Sequence, residues 1–195
     1  EKNHGVAFPV TVKDALGKEI TLEEAPERIV SLTPSNTEIL FGLGLDEEIV
    51  GVNDNDNYPE QVADKTRIGG IEYNIETIIS LQPDVVFAHE SSMFTFESAI
   101  EQLEASGVTV FVVDNAETFD ETYETIEVIG TLTGKDEEAD KIIASIQSKL
   151  ADIQAKLQGV APKTAFMVVG ASPQIYVTGQ NTFMNEMLKV INVEN

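Results

Sequence analysis

Short apolar runs alternate with helical patterns along the first two thirds of the chain, and this alternation limits the possible folds more than any other feature. Strand-type runs lie at residues 28–32, 49–52, 84–89 and 108–113. Helical patterns separate or follow them, and such alternation is typical of a parallel sheet covered on both faces and joined by right-handed crossovers. The sequence therefore predicts an α/β fold with a doubly wound, Rossmann-like parallel-sheet lobe.

Residues with strong turn and capping preferences mark the ends of these predicted elements. Residues 9–22 alternate apolar and polar side chains around a turn, which predicts a β-hairpin. Ser35 or Asn36 is the predicted cap of the first helix, and Asn74 is the predicted cap of a second helix that Pro83 closes. A further helix is predicted at 119–133.

The segment 136–157 carries a long apolar stripe at helical spacing. As one helix it would be about 33 Å long at about 1.5 Å per residue. It is either an ordinary core-facing helix or a rigid connection between two lobes. A strand is predicted at 164–169, followed by a helix at 182–191. We therefore divide the chain into an N-terminal α/β lobe (1–134), a long helix (135–159) and a C-terminal strand-helix segment (160–195).

Composition excludes several function classes. The chain has 34 acidic and 12 basic residues and a formal charge of -22, so it would be repelled by the phosphates of nucleic acids. It has no cysteine, which excludes a disulfide, a thiolate metal site and a cysteine nucleophile. Phosphate-binding and nucleophile-elbow motifs are absent, and we predict no catalytic residue, no resident metal and no cofactor. No signal segment is visible, so an exported protein would have lost it from this sequence.

Candidate ligand-binding residues follow from the predicted topology. In open parallel sheets, ligands bind beyond the carboxyl ends of the strands. These ends carry Thr33 and Ser35, Tyr58, His89, and Asp114, and Gly70 lies on another approach to the same edge. Tyr58 stands in a polar loop, where an aromatic ring can stack on a flat ligand. His89 could coordinate iron or cobalt, could hydrogen-bond a ligand edge, or could be an ordinary exposed histidine.

An ordered set of sequence blocks carries a family resemblance over nearly the whole chain. The blocks are PERIVSL (26–32), TEILFGLGL (37–45), IVGV (49–52), Tyr58-Pro59, Ile68-Gly69 and NIETIISLQPDVV (74–86). Together they resemble the solute-binding proteins that deliver cobalamin, ferric siderophores or haem to ABC importers. The resemblance implies that 1–134 is the N-terminal ligand-binding lobe, that the helix 135–159 connects two lobes, and that 160–195 is the beginning of a second α/β lobe. Most of the family's second lobe looks absent.

The resemblance implies roles for several residues and partners. It implies that Tyr58 contacts the ligand, that Tyr176 faces the cleft from the second lobe, and that Glu76 pairs with arginines of the membrane permease subunits. It also implies an extracytoplasmic location, in the periplasm or as a cell-surface lipoprotein, and a metal-chelate ligand that itself carries iron or cobalt. Two alternatives stay open: a free-standing or dimerising α/β interaction domain, with a possible homodimer of this short form, and a chelatase-like enzyme.

Overall fold

The chain divides into two compact units. The computed structural model describes residues 7–195, apart from the side chain of Thr95. The first unit holds the described residues up to Asn115 together with Ile126–Ala139, and the second holds Ala116–Thr125 and Asp140–Asn195. The lobe boundaries drawn from the sequence, at residues 134 and 159, stay a prediction.

The first unit begins with the predicted hairpin, in which β1 (Val10–Lys13) pairs antiparallel with β2 (Glu19–Leu22). Asp14 stabilises the turn because its Oδ1 accepts hydrogen bonds from the backbone N–H groups of Leu16 at 3.0 Å and Lys18 at 2.8 Å. Gly17 completes the turn with a φ of +76°, a conformation that glycine adopts without steric cost.

A five-stranded parallel sheet forms the centre of the first unit. Its strands are β3 (Ile29–Ser31), β4 (Ile49–Val52), β5 (Thr66–Arg67), β6 (Val85–His89) and β7 (Val110–Val113), in the spatial order β5-β4-β3-β6-β7. Every pair in this sheet is parallel. The four predicted strands are confirmed. The sequence did not predict β5, because two exposed polar residues carry no apolar pattern.

The first three helices of this region connect strands of the sheet, and the last two follow the sheet along the chain. In chain order, the helices are α1 (Pro34–Gly42), α2 (Ile75–Ser80), α3 (Met93–Ala105), α4 (Phe119–Thr133) and α5 (Asp136–Lys156). The prediction that Asn74 caps α2 is confirmed, since its side chain accepts a hydrogen bond from Thr77 N at 3.0 Å. The prediction that Ser35 or Asn36 caps α1 is wrong: Thr33 is the N-cap and Pro34 begins the helix. Proline suits this position because its φ is already helical and its missing N–H would have no partner there.

The core lies on both sides of the sheet. On one face, Val30, Val86 and Val110 pack with Ile78 of α2 and Leu103 of α3, and all five are at most 1% exposed. Alternate strand residues face the other side. There the rings of Phe87 and Phe111 meet edge to face with centroids 5.8 Å apart. Full burial of one such side chain stabilises the fold by about 1.5–3 kcal/mol.

The second unit contains most of α5, the predicted long helix. It also holds β8 (Lys163–Thr164), β9 (Val168–Gly170), β10 (Tyr176–Val177), α6 (Phe183–Val190) and β11 (Val193–Glu194). The single strand predicted at 164–169 is wrong. Its ends belong to two ladders, because β8 pairs with β11 and β9 pairs with β10.

Apolar side chains of the second unit are widely exposed. Phe166 is 74% exposed and Ile175 is 70% exposed, and Val169 and Tyr176 are each 54% exposed. The sequence predicts such a surface for an isolated strand-helix segment, which has few neighbours to bury its apolar side chains. Within residues 7–195, none of the helices is both long enough and apolar enough to cross a membrane.

A tight loop follows β5 and returns the chain to α2. Gly69 has a φ of +99° and forms an isolated antiparallel bridge with Tyr73. A Cβ atom at Gly69 would lie 2.1 Å from the backbone oxygen of Glu72, and it could not be accommodated without moving the main chain.

We expect Gly69→Ala to lower the free energy of unfolding by about 3 kcal/mol, because it adds a backbone clash to an unfavourable φ. Gly17→Ala is the matched control: its φ is also positive, but an added Cβ meets no atom within 4 Å. We expect Gly17→Ala to lower the free energy of unfolding by only about 1 kcal/mol. Urea unfolding of both variants measures the difference, and equal losses would contradict the loop geometry described above.

Candidate functional site

The carboxyl ends of the five parallel strands lie at one edge of the sheet. Register confirms this, because Ser31 pairs with Phe87, Val52 with Arg67, and His89 with Val113. We call this edge the rim and define it as residues 33–37, 53–58, 68–74, 89–94 and 114–115. The structure therefore brings together six of the residues selected from the sequence: Thr33, Ser35, Tyr58, Gly70, His89 and Asp114.

A buried carboxylate fixes the loop that follows β4. Asp56 is 4% exposed, and its Oδ2 accepts hydrogen bonds from Thr37 Oγ1 at 2.7 Å and from Asn53 N at 3.0 Å. Thr37 Oγ1 also lies 2.7 Å from Ser31 Oγ, so the contact reaches from α1 back to the central strand β3. Sequence reasoning missed this network, since nothing in the acidic run 53–57 distinguishes Asp56 from its exposed neighbours.

Arg67 holds the same loop from the other side. Its Nη1 donates to the backbone oxygens of Asn53 at 2.8 Å and Asp56 at 2.9 Å, and its Nη2 donates to Val62 O at 3.2 Å. These three contacts give Arg67 a structural role in the loop. Asn53 adds a bond from its Nδ2 to Leu32 O at 2.8 Å.

Burial raises the pKa of the Asp56 carboxyl above its usual value near 3.8, and the hydrogen bonds from Thr37 and Asn53 and the charge of Arg67 oppose this shift. The cost of burying the carboxylate is therefore only partly offset. Its second oxygen, Oδ1, has no hydrogen-bond partner in the part of the chain that the structure describes.

The loops after β4 and β5 are joined to each other. Asp54 N donates to Gly69 O at 3.0 Å, and Gly69 N donates to Asp54 Oδ1 at 3.2 Å. A Cβ atom at Gly70 would lie 3.2 Å from Asn55 Nδ2. Gly70 thus contributes close packing between two rim loops. Because glycine has no side chain, Gly70 could contact a ligand only through its backbone.

Three apolar side chains of the rim are exposed. Tyr58 is 65% exposed, Ile71 is 81% exposed, and Phe94 is fully exposed. Large apolar side chains that share one edge of a folded unit are typical of an interaction surface. Sequence reasoning missed Phe94. Its position off the apolar stripe of α3 was the available signal, because a phenylalanine outside the core-facing stripe has no structural reason to be there.

Tyr73 and Phe96 lie beside these exposed side chains in sequence but are half-buried. Their ring centroids are 4.2 Å apart, and Tyr73 donates its phenolic O–H to Leu32 O at 3.0 Å. Burial, with a further contribution from the charge of Asp56, raises the pKa of Tyr73, so the phenol stays protonated and keeps this bond. The pair anchors the loop after β5 to the sheet.

His89 is half-buried at the end of β6. Its Nδ1 accepts a hydrogen bond from Ser91 N at 3.2 Å and lies 2.8 Å from Ser91 Oγ. Burial lowers the pKa of His89, while the nearby Asp114 carboxylate opposes the shift, and the ring is therefore neutral at pH 7. Asp114 itself is exposed at the end of the neighbouring strand β7.

The other candidate residues have different settings. Thr33 is half-buried and its Oγ1 has no hydrogen-bond partner among the described residues, whereas Ser35 is exposed in the first turn of α1. Glu76 is exposed in the first turn of α2, directly after the loop of the rim. Tyr176 belongs to the second unit, where it is exposed on β10.

Metal ligands do not cluster in this structure. Within residues 7–195, no three histidine or acidic side chains are arranged to hold a metal ion. The rim segments contain five acidic residues and neither lysine nor arginine. The acidic residues are Asp54, Asp56, Glu72, Glu90 and Asp114.

Comparison with known proteins identifies the family. The chain belongs to the periplasmic binding protein family, whose model matches residues 29–195. The resemblance seen in the sequence is thereby confirmed at the level of the family.

Individual relatives are similar over most of this chain. An uncharacterised ABC transporter substrate-binding lipoprotein, YvrC of Bacillus subtilis, is 46% identical over 96% of this chain and 61% of its own length. The chain thus spans about three fifths of that relative. The crystal structure of a possible iron-binding (periplasmic solute-binding) protein from Staphylococcus epidermidis superimposes with a TM-score of 0.80, at 35% identity, over 88% of this chain and 67% of the other. The vitamin B12 binding protein BtuF of Vibrio cholerae gives a TM-score of 0.74, at 26% identity, over 87% and 65%.

The buried carboxylate gives a pH-dependent test. Because the folded state raises the pKa of Asp56, it holds a proton at pH values where the unfolded chain has lost it. The stabilising contribution of this proton is fully present below about pH 3.8 and is lost as the pH rises through the folded-state pKa. We expect the stability of the wild type relative to Asp56→Asn to increase as the pH is lowered from 7 toward 4.

Urea unfolding at a series of pH values measures this difference. Asp64→Asn is the matched control, since it removes an exposed carboxylate of the next turn. If the two variants showed the same pH profile, Asp56 would not be buried as described.

Proposed function

We propose that this chain belongs to an extracytoplasmic solute-binding protein that captures a metal-chelate ligand (an iron siderophore, cobalamin or haem) for an ABC importer. The observation that carries the proposal is the rim: three exposed apolar side chains, Tyr58, Ile71 and Phe94, stand at the ligand-binding edge of a parallel sheet. Membership of the periplasmic binding protein family and the printed names of the relatives support the same function.

The rim suits a large ligand with an apolar face. Flat chelates and macrocycles bury aromatic and aliphatic surface, and Tyr58, Ile71 and Phe94 offer such a surface in advance of binding. The loops that carry Tyr58 and Ile71 are held by Asp56, Arg67 and Gly69, so little ordering is required when a ligand arrives.

The charge of the rim further limits the class of ligand. The rim segments carry only acidic and neutral side chains, and the guanidinium of Arg67 is occupied by three backbone oxygens. An anionic catecholate chelate would meet repulsion without a basic partner. A neutral or cationic chelate is therefore favoured over an anionic siderophore and over haem, which carries two carboxylates. Any iron or cobalt arrives as part of the ligand.

We assign binding without catalysis to this site. The family model that matches the chain describes periplasmic binding proteins, and this supports binding as the role of the rim. Thr33, Ser35 and Asp114 would contact polar groups of the ligand, and a ligand contact of Tyr176 stays a prediction. Glu76, exposed beside the rim, would pair with arginines of the membrane permease subunits. A homodimer of this short form is a further proposal that rests on the exposed apolar residues of the second unit.

Replacing Tyr58 tests the rim directly. Cyanocobalamin, haemin and a cationic ferric hydroxamate serve as probes, with binding measured by equilibrium dialysis and absorbance. We expect Tyr58→Ala to weaken binding of the accepted probe about tenfold, because a large stacking surface is lost. Tyr58→Phe is the control and should retain affinity within about threefold. Unchanged affinity in Tyr58→Ala would place the ligand elsewhere, and failure of all three probes would contradict the ligand class.

Replacing Glu76 tests the transporter partner separately. Glu76→Ala removes an exposed carboxylate that makes no ion pair in the described part of the chain. We expect unchanged probe affinity but uptake into cells reduced about tenfold, because transporter contacts of a charged group affect docking and leave ligand capture intact. Glu97→Ala, on the exposed side of α3, is the control. Normal uptake by Glu76→Ala would remove Glu76 from the docking surface.

A further inference from the structure

The ring of His89 is held in a way that decides which nitrogen carries the proton. Two donors can reach Nδ1: the backbone N–H of Ser91, at 3.2 Å, and the Ser91 hydroxyl, with its Oγ at 2.8 Å. Within residues 7–195, no hydrogen bond is made by Nε2, which leaves the second nitrogen available at the strand end.

The two contacts differ in what they require. A hydroxyl hydrogen rotates, so Ser91 Oγ serves as donor or acceptor as needed. The hydrogen of a backbone N–H is fixed in the peptide plane, and Ser91 N must find an acceptor where it points. If Nδ1 carried a proton, its N–H would face the backbone N–H of Ser91, and the N–H of Ser91 would lose its acceptor. Nδ1 is therefore the unprotonated nitrogen, and the neutral ring carries its proton on Nε2.

This tautomer is unsuited to metal coordination. Coordination through Nε2 needs a free lone pair there, which would move the proton to Nδ1 and break the bond from Ser91 N. Coordination through Nδ1 would displace both Ser91 contacts. A histidine prepared for metal binding has the opposite arrangement, with the non-coordinating nitrogen donating to a carbonyl or carboxylate.

Building on the proposed function, we propose that His89 supplies a hydrogen-bond donor, its Nε2–H, to an acceptor oxygen or nitrogen at the edge of the ligand, and that it does not coordinate the ligand's metal. The ligand must then present a carbonyl, amide or carboxylate acceptor above the end of β6. Burial keeps the ring neutral at physiological pH, which preserves this pattern of one donor and one acceptor.

The first experiment tests the tautomer without any ligand. The chain has two histidines, His4 and His89, so a long-range ¹H–¹⁵N correlation spectrum at pH 7 contains two ring systems, and His89→Gln identifies that of His89. We expect a pyridine-type Nδ1 and a pyrrole-type Nε2 for His89. The opposite assignment, or a doubly protonated ring, would overturn the proposal. Ser91→Pro, which removes the backbone N–H, should shift the population toward the other tautomer or toward a mixture.

The second experiment tests the role of the donor. In cyanocobalamin both axial positions of cobalt are filled, whereas haemin has open axial positions. With whichever probe binds, His89→Phe should weaken binding about tenfold, since it leaves an acceptor of the ligand without its donor. His89→Gln keeps an N–H donor and should stay within about threefold of the wild type.

The results of these experiments distinguish failure of this inference from failure of the proposed function. A histidine-coordinated haemin spectrum that disappears in His89→Gln would overturn the inference while leaving the function intact, as would equal affinities of His89→Phe and the wild type. If none of the probes binds, the proposed ligand class fails, and the ¹⁵N spectrum alone then decides whether His89 is the donor described here.

Discussion

The parallel pairing of β3 with β4 and β6 is the constraint on which the rest of the first unit depends. Parallel strands cannot be joined by tight turns, so each connection needs a longer segment, and α1, α2 and α3 lie in three of the four connections. Residues such as Ile29 and Phe87 become completely buried. The same geometry places the carboxyl ends of all five strands at one edge of the sheet. Fold stability and the position of the rim thus have a single physical cause.

The conformation of the rim depends on polar side chains that lie outside the apolar core. Asp56 is buried at a cost in solvation, and Thr37, Asn53 and Arg67 recover part of that cost by fixing the loop that carries Tyr58. A buried polar network of this kind favours one arrangement of the loop over many similar ones. The exposed aromatic ring of Tyr58 is consequently carried by a loop that is fixed before any ligand binds.

Sequence reasoning succeeded where local chemistry decides the structure. Buried strands of several apolar residues, the Asn74 cap and the long helical stripe all have signals confined to neighbouring residues. Sequence reasoning failed where a residue far along the chain decides the local structure. The residues 164–169 look like one strand, but β11 and β10 take its two ends separately. Pro34 competes with Ser35 and Asn36 for the start of α1, and the fixed φ of proline prevails.

The sequence by itself determined the family, the alternating α/β order and the edge at which Thr33, Tyr58, His89 and Asp114 lie, because strand direction follows from connection length. Only the tertiary structure decided which acidic residue of 53–57 is buried, that Phe94 is exposed at the same edge of the sheet as Tyr58 and Ile71, and which nitrogen of His89 is free. Burial and hydrogen-bond partners arise from residues far apart in the chain, and no local pattern records them.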